Sequence, residues 1–115
     1  MLRVKDLEEK LMRGRRAAEE NDAKRRAQKL GLEYLNLISA KIPTEIKAMT
    51  LVPEAEAKKA LLSPIQIIRK KLVLAAFNPE TPESQKIITD LKKNYEVQIF
   101  IASLTSLKHA WGYYQ

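Results

Sequence analysis

The stretch from Ser63 to Ala102 limits the possible folds of this chain more than any other. Two apolar runs, Ile65–Ile68 and Leu72–Phe77, are separated only by Arg69-Lys70-Lys71. Short runs rich in β-branched and large apolar residues suit strands better than helices, and so close a pair reads as a hairpin. The second run stops at Asn78-Pro79, where proline biases its predecessor away from the helical region and cannot donate to a ladder. Thr81-Pro82-Glu83 then starts a helix: Thr81 can cap, Pro82 sits at the first helical position, and Glu83 meets the positive end of the dipole. Ile87, Ile88 and Leu91 give that helix an apolar face, and Asn94 is the residue expected to end it in a left-handed conformation. Val97, Ile99 and Ile101 alternate along a last strand with Phe100 on the other face. The link from Phe77 to Tyr95 is long enough for the two strands it joins to be parallel.

The rest of the chain is read around that core. Residues 3–30 form a highly charged segment of strong helix formers. Val4, Leu7, Leu11 and Ala18 make a thin apolar stripe with Gly14 on the same line, which resumes weakly as Ala23, Ala27 and Leu30. So narrow a face gains little from packing on its own domain, so the N-terminal half is expected to project or to dock on another surface. Gly31 is placed to end the helix. Tyr34–Ile38 reads as a short edge strand. Ile42-Pro43-Thr44-Glu45 opens a short helix through Met49, with Ile46 and Met49 facing inward. Pro53-Glu54 opens another to about Leu61, with proline at the tolerated first position. Ser103 caps a final helix through Leu104, Leu107, Ala110 and Trp111. The predicted fold is a small α+β domain at residues 30–115: a mixed sheet of a short strand, a hairpin and a βαβ crossover, packed with helices. A long charged helix at residues 1–29 precedes it. The hairpin has no glycine in its turn, so either the loop is wide or a basic residue is strained.

Composition sets the function classes. The chain has 115 residues, a net charge of +7 and no cysteine. Disulfides and zinc–thiolate sites are therefore excluded. No apolar run approaches the roughly 20 residues of a membrane span, and residues 1–10 lack the apolar segment of a signal peptide, so a cytoplasmic location is expected. Much of the excess charge sits at Arg13, Arg15, Arg16, Lys24, Arg25 and Arg26, with Glu19, Glu20 and Asp22 between them. That run has three readings. It is a solvated helix with Glu20–Lys24 and Asp22–Arg26 pairs at acid-first spacing, a docking surface for an acidic protein or anionic membrane, or a non-specific nucleic-acid site. No interleaved aromatic or helix-turn-helix pattern favours the last. Trp111, Tyr113 and Tyr114 form a second candidate, covering the sheet or anchoring an interface. Residues singled out for partner contact are Val4, Leu7 and Leu11 on the stripe, Arg15, Arg16, Arg25 and Arg26 for charge, and the three aromatics.

Catalytic signatures are sparse. A phosphate-binding loop needs clustered glycines followed by lysine and serine or threonine, and the three glycines, Gly14, Gly31 and Gly112, have no such context. His109, the single histidine, has no sequence-level nucleophile or orienting carboxylate, so surface packing is its expected role. Glu54 and Glu56, two apart on a helix, face different ways and read as a first turn favoured by the dipole. No catalytic, metal or cofactor site is expected.

Several landmarks fall in one order: Leu30-Gly31-Leu32-Glu33-Tyr34, Ile42-Pro43, Leu51-Val52-Pro53-Glu54-Ala55-Glu56-Ala57, Leu72-Val73-Leu74-Ala75 with Asn78-Pro79, and Ala110-Trp111-Gly112-Tyr113-Tyr114. Over residues 27–115 the chain resembles the N-terminal domain of type II secretion and type IV pilus assembly ATPases. That resemblance implies a non-catalytic docking or regulatory domain ahead of an ATPase core. Such a domain would contact a protein of the inner-membrane assembly platform and hold a peripheral place at that membrane. Some relatives bind cyclic di-GMP through an upstream arginine-leucine-glycine motif, which has no match here, so cyclic di-GMP binding is not expected. The segment between Pro43 and Pro53 is slightly longer than the family's. The alternative reading is a free-standing basic nucleic-acid-binding module.

Overall fold

A computed structural model describes the backbone of residues 4–114 and the side chains of residues 14–114. Helix α1 (Val4–Leu30) leads to strand β1 (Glu33–Tyr34), helices α2 (Ile46–Met49) and α3 (Glu54–Ala60), and strands β2 (Leu62–Ile68) and β3 (Lys71–Ala76). Helix α4 (Pro82–Leu91), strand β4 (Glu96–Ile101) and helix α5 (Leu104–Trp111) follow. The strands form one mixed sheet in the order β1-β4-β3-β2, with β4 parallel to both of its neighbours and β2 antiparallel to β3. The α+β class and the hairpin–crossover core are those read from the sequence.

The hairpin is tighter than a glycine-free turn would favour. Ile68 pairs with Lys71, leaving Arg69 and Lys70 as a two-residue turn. Arg69 has φ 59° and Lys70 does not share the positive sign, so the strain falls on the first central position, where type II′ turns prefer glycine. Strand β2 begins three residues earlier than the apolar run and carries Pro64. An edge strand tolerates proline, and the register shifts between Pro64 and Gln66, beside fully buried Ile65. The outer edge of β2 is closed by Glu45, whose backbone N–H donates to the Ile65 carbonyl at 2.8 Å. The Glu45 carboxylate in turn accepts the Ile67 N–H at 3.0 Å.

Several local expectations are corrected. The edge strand after Gly31 covers only Glu33–Tyr34, because the Asn36 side-chain oxygen accepts the N–H groups of Ile38 and Ser39 and turns the chain away. Helix α2 buries Ala48 and Met49 but leaves Ile46 exposed, since Glu45 is pinned to β2 and the single turn after it points Ile46 outward. Asn94 is not left-handed. Helix α4 instead unwinds through turn bonds from Lys93 to Asp90 and from Asn94 to Leu91. Pro53 precedes its helix at the N-cap instead of taking the first helical position, and three other signals hold. Gly31 ends α1 with φ +69°, the Thr81 hydroxyl accepts from Ser84 N–H, and the Ser103 hydroxyl accepts from Ser106 N–H. At the end of α3 it is Leu61 that is left-handed, and its carbonyl receives the Phe77 N–H at 2.9 Å.

The main core joins Leu62, Ile65, Leu72 and Leu74 of the hairpin to Ile88 of α4 and Leu107 and Trp111 of α5. A second, smaller cluster joins Ala23 and Ala27 of α1 to Ile101 of β4.

Candidate partner-binding surface

Helix α1 is attached to the body by small residues and by polar side chains. Ala23 and Ala27 are buried against Ile101, the last residue of β4. An alanine contact brings the helix close but buries little area, so the flanking polar bonds matter. Arg26 supplies one set. Its Nε donates to the Phe77 carbonyl at 3.1 Å, a terminal nitrogen reaches the Ala102 carbonyl at 3.4 Å, and the guanidinium lies 3.8 Å over the Phe77 ring. Those carbonyls follow the ends of β3 and β4, so one planar fork ties α1 to two adjacent strands. Asp22 pairs with the outer side of the same guanidinium.

Glu19 supplies the second set. Its two carboxylate oxygens accept from the Thr105 N–H at 2.8 Å and the Thr105 hydroxyl at 2.7 Å. Thr105 lies in the first turn of α5, where free N–H groups and the helix dipole favour an anion. Glu20 accepts a hydrogen bond from the Tyr34 hydroxyl, and Lys24 lies over the Tyr34 ring at 5.4 Å. Burial, then the hydrogen bond to the Glu20 carboxylate, push the Tyr34 phenol up to about 12.

The residues singled out for partner contact therefore separate. Arg26 is a structural fork, four-fifths removed from solvent. Arg15, Arg16 and Arg25 are exposed. Arg15 and Arg16 are neighbours, whereas Arg25 is nine residues beyond Arg16 and so half a turn round the helix from it. Gly14 and Ala18 of the apolar stripe are exposed as well, whereas Ala23 and Ala27, where it resumes, are buried. The side chains of Val4, Leu7 and Leu11 lie outside the described residues.

At the other end of the chain, Trp111 belongs to the core. It is buried, and its indole N–H donates to the Leu62 carbonyl at 3.0 Å. Tyr114 is half-buried and donates to the Val52 carbonyl at 2.9 Å. Burial, then the Glu54 charge, push its phenol up to about 12. Tyr113 alone of the three aromatics is exposed, with His109 edge-on to it at 6.1 Å. The Glu54 carboxylate pairs with Lys58 at 3.0 Å, and Glu56 lines an open cleft of about 770 Å³ between α3 and α4. That cleft alternates charges, with Lys59, Lys86 and Lys93 set among Glu56, Glu83 and Asp90. Among the described residues no three histidine, cysteine or acidic side chains are placed to share a metal ion, and no helix is long and apolar enough to cross a membrane.

Compared with solved structures, the chain superposes on the N-terminal domain of XpsE, a type II secretion ATPase, with a TM-score of 0.66. The match covers 99% of this chain and 87% of that one at 13% identity. The chain has the fold of the XpsE N-terminal domain. It also superposes on MshE, a type IV pilus ATPase solved with cdg, with a TM-score of 0.65 and 24% identity. That match covers 77% of this chain, which spans 63% of the length of that MshE chain. No family model matches the chain, and no curated protein does. The likeness first read from the order of short motifs is thus a likeness of fold.

The polar attachment of α1 escaped the sequence reading for a plain reason. Glu19 and Thr105 are 86 positions apart, and Arg26 and Phe77 are 51 apart. Only the threonine beside the Ser103 cap hinted at an anion site.

Proposed function

We propose that the chain is a non-catalytic docking domain of a type II secretion or type IV pilus ATPase, contacting a protein of the inner-membrane platform. In this reading residues 30–115 are the adaptor body and residues 1–29 carry the contact. The observation that carries the proposal is the division of α1. One side near its C-terminal end is anchored through Ala23, Ala27, Glu19 and Arg26, while Arg15, Arg16 and Arg25 stay in solvent. A helix held rigidly at one end presents the rest of its length to a partner at low entropic cost. Helical spacing sets Leu11, Ala18 and Arg25 seven residues apart on one line, whereas Ala23 and Ala27, where the stripe resumes, lie on the anchored side. Val4, Leu7 and Leu11 then supply apolar contact, and Arg15, Arg16 and Arg25 meet acidic groups of the partner. Tyr113 is a second, separate contact point.

The ATPase core, in this reading, lies outside the 115 residues, since none of the three glycines stands in a phosphate-binding loop. The location is cytoplasmic, peripheral at the inner membrane through the partner. The fold shared with XpsE and MshE supports the assignment. Photo-crosslinking from positions 15 and 16 in cells tests it: adducts to an inner-membrane platform protein are expected, and adducts confined to ribosomal or nucleic-acid-associated proteins would overturn it.

A further inference from the structure

The sheet end that carries the hairpin turn is chemically unlike the rest of the body. Ile68 is 56% exposed there, among the most exposed large apolar side chains of the described residues. It is followed by Arg69, Lys70 and Lys71, all exposed. The link from α4 to β4 returns to the same end, where the Glu96 N–H donates to the Lys70 carbonyl at 2.7 Å. That link also carries exposed Lys92 and Lys93, and at the turn itself Arg69, Lys70 and Lys71 stand with a single carboxylate, Glu96. Asp90 is partly engaged with Lys93, at 3.4 Å. The turn itself holds Arg69 at φ 59°, which glycine would adopt without strain, so a cation occupies a position that backbone geometry alone would not give it.

We infer that this end of the sheet is a contact surface for anionic lipid headgroups, with Ile68 entering the headgroup boundary and the surrounding cations binding phosphates. An exposed isoleucine flanked by three consecutive basic residues combines apolar insertion with attraction to negative lipids. A nucleic acid would gain nothing from Ile68, and the one aromatic of the link, Tyr95, is part-buried against the core rather than presented for stacking. A two-residue turn is also too small to supply the roughly 800 Å² per partner of a stable protein interface. The inference rests on the hairpin end alone and does not require the platform contact proposed for α1.

Sedimentation of the full chain with vesicles tests it without any protein partner. Binding is expected to phosphatidylcholine vesicles containing phosphatidylglycerol, not to phosphatidylcholine alone, and to weaken as salt rises. Each cation at a lipid surface is worth about 1 kcal/mol, or about 5-fold in partitioning, so K70Q/K71Q/K92Q should lower binding by roughly 100-fold. Ile68→Ser should lower it by about tenfold, the lower range for burying an aliphatic side chain. The triple variant R15Q/R16Q/R25Q should bind as the parent does. These positions are exposed, and circular dichroism with a melting curve establishes that each variant folds. The inference is overturned if vesicle binding ignores lipid charge, if the α1 variant abolishes it while the hairpin variants do not, or if Ile68→Ser has no effect. Hairpin-dependent binding to a duplex oligonucleotide without vesicle binding would overturn it equally.

Discussion

Two adjacent arginines, Arg25 and Arg26, should differ sharply when replaced by alanine. Arg25 is exposed, whereas Arg26 donates to the Phe77 carbonyl at 3.1 Å, reaches the Ala102 carbonyl at 3.4 Å and covers the Phe77 ring at 3.8 Å. A hydrogen bond from a charged donor contributes about 1.5–3 kcal/mol, and the low end applies because a fifth of the side chain still meets water. Stacking over the ring adds about 0.5–1 kcal/mol. The second carbonyl contact is long and the Asp22 pair half-open, so each adds at most a few tenths, roughly 0.3 kcal/mol. Arg26→Ala should therefore cost about 2 kcal/mol, while Arg25→Ala stays within about 0.5 kcal/mol of the parent. In a domain of this size that corresponds to a melting temperature lower by roughly 8 °C. Arg26→Lys should recover less than half, because an ammonium cannot hold two carbonyls and a ring face in one plane. Urea unfolding followed by circular dichroism reads all three variants. Equal losses at the two positions, or no loss at Arg26, would refute the idea that the polar fork fastens α1 to the sheet.

Further expectations concern the turn, the aromatics, alkaline pH and a nucleotide. Arg69→Gly should raise stability by about 1 kcal/mol, since the left-handed conformation costs a side-chain-bearing residue about 1–2 kcal/mol and glycine's greater unfolded-state entropy returns part of it. Chemical unfolding of the purified variant measures this. Trp111→Phe should cost about 1–3 kcal/mol by leaving the buried Leu62 carbonyl without its donor, whereas Tyr113→Ser should be nearly neutral in the same assay. The phenols of Tyr34 and Tyr114 are both pushed up to about 12, so the folded state keeps their protons where the unfolded chain begins to release them near pH 10. Their contribution is complete below about pH 10 and is lost as pH rises towards about 12. Urea midpoints over that range should therefore fall less steeply in Y34F/Y114F than in the parent. Isothermal titration with cyclic di-GMP should show no heat of binding, because the upstream arginine-leucine-glycine motif has no counterpart here.

What was legible in the sequence follows from how local each determinant is. The hairpin, the crossover and the caps at Thr81, Ser103 and Gly31 are written in runs of a few residues, and all appear in the structure. For the turn the sequence left two outcomes, a wide loop or a strained basic residue, and the structure takes the second at Arg69. The edge strand was overextended because apolar content at Leu35, Leu37 and Ile38 outweighed the turn-forming Asn36 within the same run. Ile46 was placed inward on periodicity, but a one-turn helix has no periodicity to read, and Glu45 at the sheet edge sets its orientation. Arg26 looked like its exposed neighbour because a long side chain's partners on distant strands leave no mark nearby. Of the two readings of the aromatics, packing on the body describes Trp111 and Tyr114, while Tyr113 is exposed.

The central claim is that the exposed arginines of α1 bring this domain to a membrane-platform protein. The direct measurement is capture by the tagged full chain from detergent-solubilised membranes, with nuclease present, beside R15E/R16E/R25E. Those three replacements touch none of the anchoring contacts, so the variant should keep the parent's melting temperature. The account predicts that the parent recovers an inner-membrane secretion or pilus platform protein and that the variant loses it. Recovery unchanged by the variant, or capture only of material that nuclease removes, would contradict it.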